Sequence, residues 1–163
     1  MSLITAYLAL GSNVGQRLEQ MRSALKLLEE SDVVALLASP VYENRAIGMG
    51  IADPFLNAVV QVQTQLDPEA LLEICLKIET RLGRVRSRVW SPRTLDIDLL
   101  DYGQLQVKTE QLQLPHPRIT ERDFVLQPFS DIAPDFELQG KSIRAWLQQL
   151  PIVELTRIEG ALI

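Results

Sequence analysis

The sequence predicts an α+β fold with elements in the order β-α-β-β-α-β, followed by a loop-rich C-terminal extension. Three observations carry this. Short apolar or alternating runs recur at 3–10, 33–42, 55–63 and 94–102. Two stretches with apolar residues at helical spacing separate the first run from the second and the third from the fourth. Gly, Asn and Pro mark the boundaries between them.

Leu3 to Leu10 is apolar throughout and ends at Gly11-Ser12-Asn13, a buried strand entering a turn. From Gly15 to Glu30 the apolar residues Leu18, Met21, Leu25 and Leu28 recur at helical spacing with charged residues between them. Val33 to Tyr42 reads as one continuous second strand. Asn44 to Pro54 contains Gly48, Gly50 and Pro54 and reads as a loop. Phe55 to Gln63 alternates: Leu56, Ala58, Val60 and Val62 face one way, and Phe55, Asn57, Val59 and Gln61 the other. Asp67-Pro68 supplies an N-cap and a first-turn proline for a second helix that runs to Leu82 and stops at Gly83. Thr94 to Tyr102 is the fourth strand. Pro115, Pro117, Pro128 and Pro134 then punctuate a loop-rich segment, and Ser142 caps a last short helix reaching Leu150. Two β-α-β units of this kind form a ferredoxin-like sheet with both helices on one face.

At 163 residues, without an internal repeat or linker, the chain is expected to be a single domain, residues 1–163. A net charge of −5 argues against non-specific binding of nucleic acid or membranes by the whole surface. No apolar run of membrane-spanning length occurs, and the N-terminus lacks the pattern of a signal peptide. The one cysteine, Cys75, excludes an intramolecular disulfide and fits a reducing cytoplasm. It lies on the apolar side of the second helix, where packing is its expected task. Nothing in the chain demands more than a monomer.

The stretch WSPRTLDIDLLDYG, residues 90–103, raises the question of function. Alternate residues of a strand share a face, so Asp96 and Asp98 project together while Leu95, Ile97 and Leu99 point into the core. Their Cα atoms would stand about 6.5 to 7 Å apart. Oxygen-only ligands at that spacing suit Mg²⁺, which keeps waters and substrate phosphates in its remaining positions. The plainer alternative is an edge strand with two solvated acids. Arg81, Arg84, Arg86, Arg88 and Arg93 place five of the chain's 16 Lys and Arg residues beside these acids. A metal–polyphosphate complex needs such a setting, with guanidinium forks holding the phosphate oxygens the metal leaves free. A solvated, salt-bridged loop is the alternative, and it suits Arg81 and Arg88 best. Trp90 in the same loop calls for a flat partner or a pocket.

Phe55 and Asn57 share a strand face, an aromatic ring beside a carboxamide, which suits a flat heterocycle; Phe55 could equally be core. His116, the only histidine, sits between two prolines in LPHPRI, a setting more typical of a structural hydrogen-bonder than of a catalyst. Arg122 and Phe124 repeat the pairing of a cation with an aromatic ring.

With these residues assembled, the sequence resembles the 6-hydroxymethyl-7,8-dihydropterin pyrophosphokinases, a family of folate biosynthesis. The most specific stretch is Trp90-Ser91-Pro92-Arg93-Thr94-Leu95-Asp96-Ile97-Asp98-Leu99-Leu100. It is supported by Leu8-Ala9-Leu10-Gly11-Ser12-Asn13, Phe55-Leu56-Asn57-Ala58, Gly83-Arg84-Val85-Arg86 and Leu114-Pro115-His116-Pro117-Arg118. The resemblance implies transfer of the terminal pyrophosphoryl group of ATP to the pterin's hydroxymethyl oxygen, with release of AMP. It implies that Asp96 and Asp98 hold two Mg²⁺ ions on the triphosphate. Arg84 and Arg93 would touch ATP phosphates or the transition state, and Arg86 would close over the site. Phe55 and Phe124 would sandwich the pterin, Asn57 would read its polar edge, and backbone groups near Asn44 and Ile47 would add hydrogen bonds. Glu79, His116 and Arg122 would line the nucleotide pocket, and Trp90 would close on the pterin. No strong general base stands out, although Asp98 is near enough in principle. The chain departs from the family pattern at Leu76, Ser91 and Pro117, and the 86–90 segment is one residue shorter than in some relatives.

Two other readings share this topology. A palm-type nucleotidyltransferase also uses strand carboxylates, but releases pyrophosphate from ATP where the first reading predicts AMP. An RNA-binding module would need exposed aromatics on a basic sheet face, and the acidic charge and strand aspartates count against it.

Overall fold

A computed structural model of the chain describes residues 2–13, 16–44, 55–83, 95–151 and 154–163. Within them the chain forms β1 (Ile4–Ser12), α1 (Arg17–Glu30), β2 (Val33–Ala38), β3 (Tyr42–Asn44), β4 (Leu56–Thr64), α2 (Pro68–Gly83) and β5 (Asp96–Tyr102). Short pieces follow: β6 (Val107–Lys108), β7 (Gln113–Leu114), a 3₁₀ turn (Ile119–Glu121), α3 (Asp123–Ile132), β8 (Glu137–Leu138), β9 (Lys141–Ser142), α4 (Ile143–Gln149) and β10 (Leu155–Arg157).

The main sheet runs β10-β3-β4-β1-β5, with β2 also paired to β4. Every pairing in it is antiparallel. Strands β1 and β4 occupy the centre because both are apolar on both faces. Strand β5 lies at one edge, so it can carry acids along its length at tolerable cost.

The second strand is not the continuous run expected over Val33–Tyr42. It breaks after Ala38 and resumes at Tyr42. Pro40 has no N–H to give to a ladder. Around it Ser39 takes over: its backbone N–H donates to the Val59 carbonyl at 2.9 Å, and its hydroxyl accepts the Val59 N–H at 2.9 Å. Helix α2 starts as expected, with Asp67 Oδ1 accepting the Ala70 N–H at 2.8 Å. The Ser142 hydroxyl caps α4 in the same way at Ala145.

One face of the sheet packs Ala6, Leu8, Leu10, Leu56, Ala58, Val60, Val62, Leu95, Ile97 and Leu99 against Met21, Ala24, Leu25 and Leu28 of α1 and Leu71, Cys75 and Ile78 of α2. The C-terminal segment, expected to be loop-rich, instead supplies a layer on the opposite face. There Val125, Leu126 and Phe129 of α3 and Ile143 of α4 pack on Tyr7, Val59 and Leu100. Helix α3 forms although Pro128 lies inside it. The apolar stripe it buries outweighs the one backbone bond that proline forgoes. A cluster of Tyr7, Phe129 and Phe136, with ring centroids 4.8 to 5.3 Å apart, fills the space beneath it.

Candidate active site

The register of the sheet builds the site. Gly11 pairs with Asp96 on one side and with Asn57 on the other, and Asn57 pairs in turn with Tyr42. Directly paired residues share a face, so Asp96, Gly11, Asn57 and Tyr42 form one row across four strands. They lie on the face away from α1 and α2. In the next row Ala9 pairs with both Asp98 and Val59. Asp96 and Asp98 are partly buried, while Leu95, Ile97 and Leu99 on the reverse face are 4% exposed or less. The alternation expected from the sequence is therefore present, with the two carboxylates side by side on one face.

Glu79 of α2 is buried, 6% exposed, and its carboxylate accepts the backbone N–H of Ile97 at 2.7 Å. That N–H points out of the sheet edge, because β5 has β1 as a partner on one side only. The expected nucleotide contact thus sits on the backbone between the two aspartates.

At the other end of the row, the Asn57 amide group donates to Asn44 Oδ1 at 3.1 Å and to the Phe55 carbonyl at 3.4 Å. With the NH₂ so engaged, Oδ1 is the group Asn57 turns towards Gly11. A Cβ placed on Gly11 would stand 3.5 Å from that oxygen and 3.6 Å from Cδ1 of Phe55. Ring and amide therefore flank the bare backbone of Gly11.

Helix α3 brings the remaining residues from above. Its N-cap Arg122 places the guanidinium carbon 5.6 Å from the centroid of the Phe124 ring. At its other end Asp131 accepts the hydroxyl of Tyr42, a tie that fixes the helix to the row just described. Burial, then the bond to Asp131, push the Tyr42 phenol up to about 12. His116 follows β7, and its backbone N–H donates to the Leu100 carbonyl at 2.9 Å on the outer edge of β5. Nδ1 accepts the Arg118 N–H at 3.2 Å, which requires that nitrogen to be unprotonated. Burial lowers the imidazole pKa; Asp98 opposes that effect, and Arg122 and Arg118 reinforce it. His116, Asp98 and Arg122 thus share one electrostatic neighbourhood.

The family model described as 7,8-dihydro-6-hydroxymethylpterin-pyrophosphokinase (HPPK) matches residues 7–134. The chain belongs to this family. It is 43% identical over 155 residues to the 2-amino-4-hydroxy-6-hydroxymethyldihydropteridine pyrophosphokinase of Methylorubrum extorquens, covering 94% of this chain and 98% of that protein. To the protein of the same name from Bacillus subtilis it is 39% identical over 163 residues, covering 95% and 98%. Its fold is similar to that of the Plasmodium falciparum HPPK-DHPS crystal structure with pteroate, at a TM-score of 0.74 and 15% identity. That match covers 91% of this chain and 42% of the other.

Among the described residues of this HPPK chain no group of three or more His, Cys, Asp or Glu gathers into a metal cage. The donor set on offer is the pair of hard carboxylates on β5. Such a pair fits Mg²⁺, an ion usually held by one or two carboxylates with waters and phosphate oxygens completing the shell. Ile47, Arg84, Arg86, Trp90 and Arg93, all expected at the site, lie outside the described residues. Cys75 is buried in the core, and its thiol is pushed up to about 12 by burial, with Glu79 and Asp98 adding to the effect. It packs, as expected, and is not activated as a nucleophile.

Three contributions escaped the sequence. Gly11 had a signal, since an isolated glycine at a strand's end often marks a close approach. The Tyr42–Asp131 tie spans 89 residues and left no local trace. Asn13 Oδ1 is buried without a hydrogen-bond partner among the described residues, although Asn13 itself stood in the quoted Gly11-Ser12-Asn13 turn.

Proposed function

We propose that the chain is an ATP-dependent diphosphotransferase of folate biosynthesis. It transfers the terminal pyrophosphoryl group of ATP to the hydroxymethyl oxygen of 6-hydroxymethyl-7,8-dihydropterin, giving the pterin diphosphate and AMP. One observation carries the reading: Asp96, Gly11 and Asn57 lie in a single row on one sheet face, in a chain of the HPPK family. That row sets a carboxylate that would bind metal and an amide that would bind the pterin on either side of Gly11. The β5-β1-β4-β2 order of the long strands supports the ferredoxin-like description of the sheet.

Asp96 and Asp98 would hold two Mg²⁺ ions, which when bound neutralise triphosphate charge and fix its oxygens. Phe55 and Phe124 would clasp the pterin between them, and Asn57 Oδ1 would accept a hydrogen bond from a ring N–H. Asn44 orients that amide, and its backbone with that of Ile47 would hold the pterin's other polar atoms. Arg84, Arg93 and Arg86 would bind phosphate oxygens, Trp90 would close on the pterin, and Arg122 and His116 would line the nucleotide side. Glu79 would act from behind, holding the β5 edge on which the two acids stand.

The hydroxymethyl oxygen attacks the β-phosphorus, the bond from that phosphorus to the α–β bridging oxygen breaks, and AMP leaves with the bridging oxygen. The hydroxyl proton passes to solvent or to a nearby carboxylate such as Asp98. The chain's contribution is alignment and charge placement. The net charge of −5 and the single buried cysteine fit a cytoplasmic chain acting on small molecules, with no nucleic acid or membrane as partner, and as a monomer. Incubation with ATP, Mg²⁺ and the reduced pterin alcohol tests the reading. Stoichiometric AMP and pterin diphosphate are expected; release of ADP or free pyrophosphate would overturn it.

A further inference from the structure

Strand β3 is three residues long, and its register with β4 holds two pairs, Tyr42 with Asn57 and Glu43 with Leu56. Three pairs with β10 complete it on the other side: Leu155 with Asn44, Thr156 with Glu43 and Arg157 with Tyr42. This small strand thus has more of its register in the C-terminal segment than in the central sheet. Backbone groups of an antiparallel strand turn alternately to its two neighbours. Asn44 gives its N–H to the Phe55 carbonyl at 3.1 Å on the β4 side, and the Val41 carbonyl accepts the Ile158 N–H at 2.9 Å on the other. Glu43 shares the side of Val41, so its partner Thr156 is the β10 residue whose backbone bonds hold β3 in place.

The segment that carries β10 is pinned at both ends. Before the strand, the Glu154 N–H donates to Asp123 Oδ2 at 3.3 Å, at the first residue of α3. After it, Gly160 turns the chain with φ +111°, at a place where a Cβ would stand 2.8 Å from Leu18. The Ala161 carbonyl then accepts Arg22 Nε of α1 at 2.9 Å, and Leu162 is buried in the core that α1 shares with the sheet. All of this lies beyond residue 134, where the match to the family model ends.

We infer that residues 154–162 form a positioning strap: β10 holds β3 against β4 so that Asn44 keeps the Asn57 amide oriented, and affinity for the pterin depends on that hold. The inference rests on the functional reading above and adds the element that supports Asn44. Asn44 Oδ1 accepts the Asn57 amide at 3.1 Å. An outward shift of β3 breaks that bond and lets the carboxamide turn, and recognition then costs the ordering of a side chain that was fixed before. Asp96 and Asp98 stand on β5, at the opposite end of the order β10-β3-β4-β1-β5. Two long central strands separate them from the strap, so loosening β10 leaves the nucleotide end in place.

The test is Thr156→Pro, which removes the backbone N–H given to β3 while altering an exposed side chain. Thr156→Val, which keeps the N–H, is the control. Each is compared with wild type in three measurements: thermal unfolding, affinity for the Mg²⁺ complex of a non-hydrolysable ATP analogue, and affinity for the reduced pterin alcohol in the presence of that analogue. In Thr156→Pro the pterin affinity is expected to fall roughly three- to tenfold, the net scale of one hydrogen bond, with analogue affinity unchanged. Thr156→Val should match the wild type for both ligands. In turnover the loss appears in KM for the pterin and leaves KM for ATP in place. A Thr156→Pro chain that unfolds earlier while binding the pterin normally would make β10 structural only and overturn the inference, as would equal losses for both ligands. Should that variant fail to fold, hydrogen exchange of the wild type decides, because coupling between sites is reciprocal. Pterin added to the analogue complex should slow exchange of the Thr156 and Ile158 amides about threefold or more relative to Leu8 in central β1; an unchanged ratio overturns the inference. If the wild-type chain itself fails to bind the pterin, the functional reading falls. A wild type that binds it, beside a Thr156→Pro variant that binds it equally well, overturns the strap alone.

Discussion

The Glu79 carboxylate accepts the backbone N–H of Ile97 at 2.7 Å, at the one residue that separates Asp96 from Asp98. An edge strand has a row of outward N–H groups with no ladder partner, and here a buried side chain from α2 takes one of them. Two neighbouring acids repel each other, and the strand that bears them is anchored by a third acid acting as an acceptor. Removing the acceptor leaves a buried N–H unsatisfied, at a cost of about 1 to 3 kcal/mol. Glu79→Ala should therefore lower the unfolding free energy by that amount in urea titrations, whereas Glu79→Gln, which keeps an acceptor oxygen, should recover most of it. Equal stability in all three proteins would remove Glu79 from this role.

Phe124 and Asn57 belong to different layers, and the Tyr42–Asp131 bond ties those layers together. Phe124→Ala removes one wall of the proposed pterin sandwich. Isothermal titration should show pterin affinity falling by roughly five- to thirtyfold, on the scale of a stacking pair plus part of its burial, with the ATP analogue affected little. Losses of equal size for the two ligands would contradict the stacking role.

His116 is the only histidine, so its imidazole can be followed by proton NMR without ambiguity. Burial holds its pKa below 6.5, and Nδ1 is occupied as an acceptor. The folded chain thus binds fewer protons here than the unfolded one. The sign follows: the stabilising contribution is complete above pH 6.5 and is lost as pH falls from 6.5 through the folded value. The resonance should titrate below 6.5, and His116→Asn should flatten the decline of stability with acid. A midpoint at or above 6.5 would show that Asp98 outweighs burial.

Local pattern made most of this architecture legible. The Asp67 cap, the Ser142 cap and the alternation along β4 and β5 are local properties, and all appear where the sequence put them. What the sequence hid depended on distant partners. The strand break at Pro40 is stabilised by Val59, twenty residues away from Ser39, so a run of apolar residues read as continuous. Helix α3 carries a proline that reads as a loop signal, and the burial of Val125, Leu126 and Phe129 against the sheet is what favours the helix. Of the proposed site, Asp96, Asp98 and Asn57 drew notice because polar side chains are unusual on largely apolar strands, and Phe55 and Phe124 entered through the family resemblance. The place of Gly11 between Asp96 and Asn57 was not readable, since it depends on pairing with two other strands. Arg84, Arg86, Arg93 and Trp90 belong to the proposal on sequence grounds alone.

The account rests on Asp96 and Asp98 gripping divalent ions beside a nucleotide. Mn²⁺, which has an EPR signal and prefers the same hard oxygen ligands as Mg²⁺, reports this directly when titrated into the protein with a non-hydrolysable ATP analogue. The wild-type chain should immobilise Mn²⁺ only when the analogue is present, and the Asp96→Asn, Asp98→Asn double variant should fold normally and immobilise almost none. Undiminished Mn²⁺ immobilisation in the folded double variant would contradict the account.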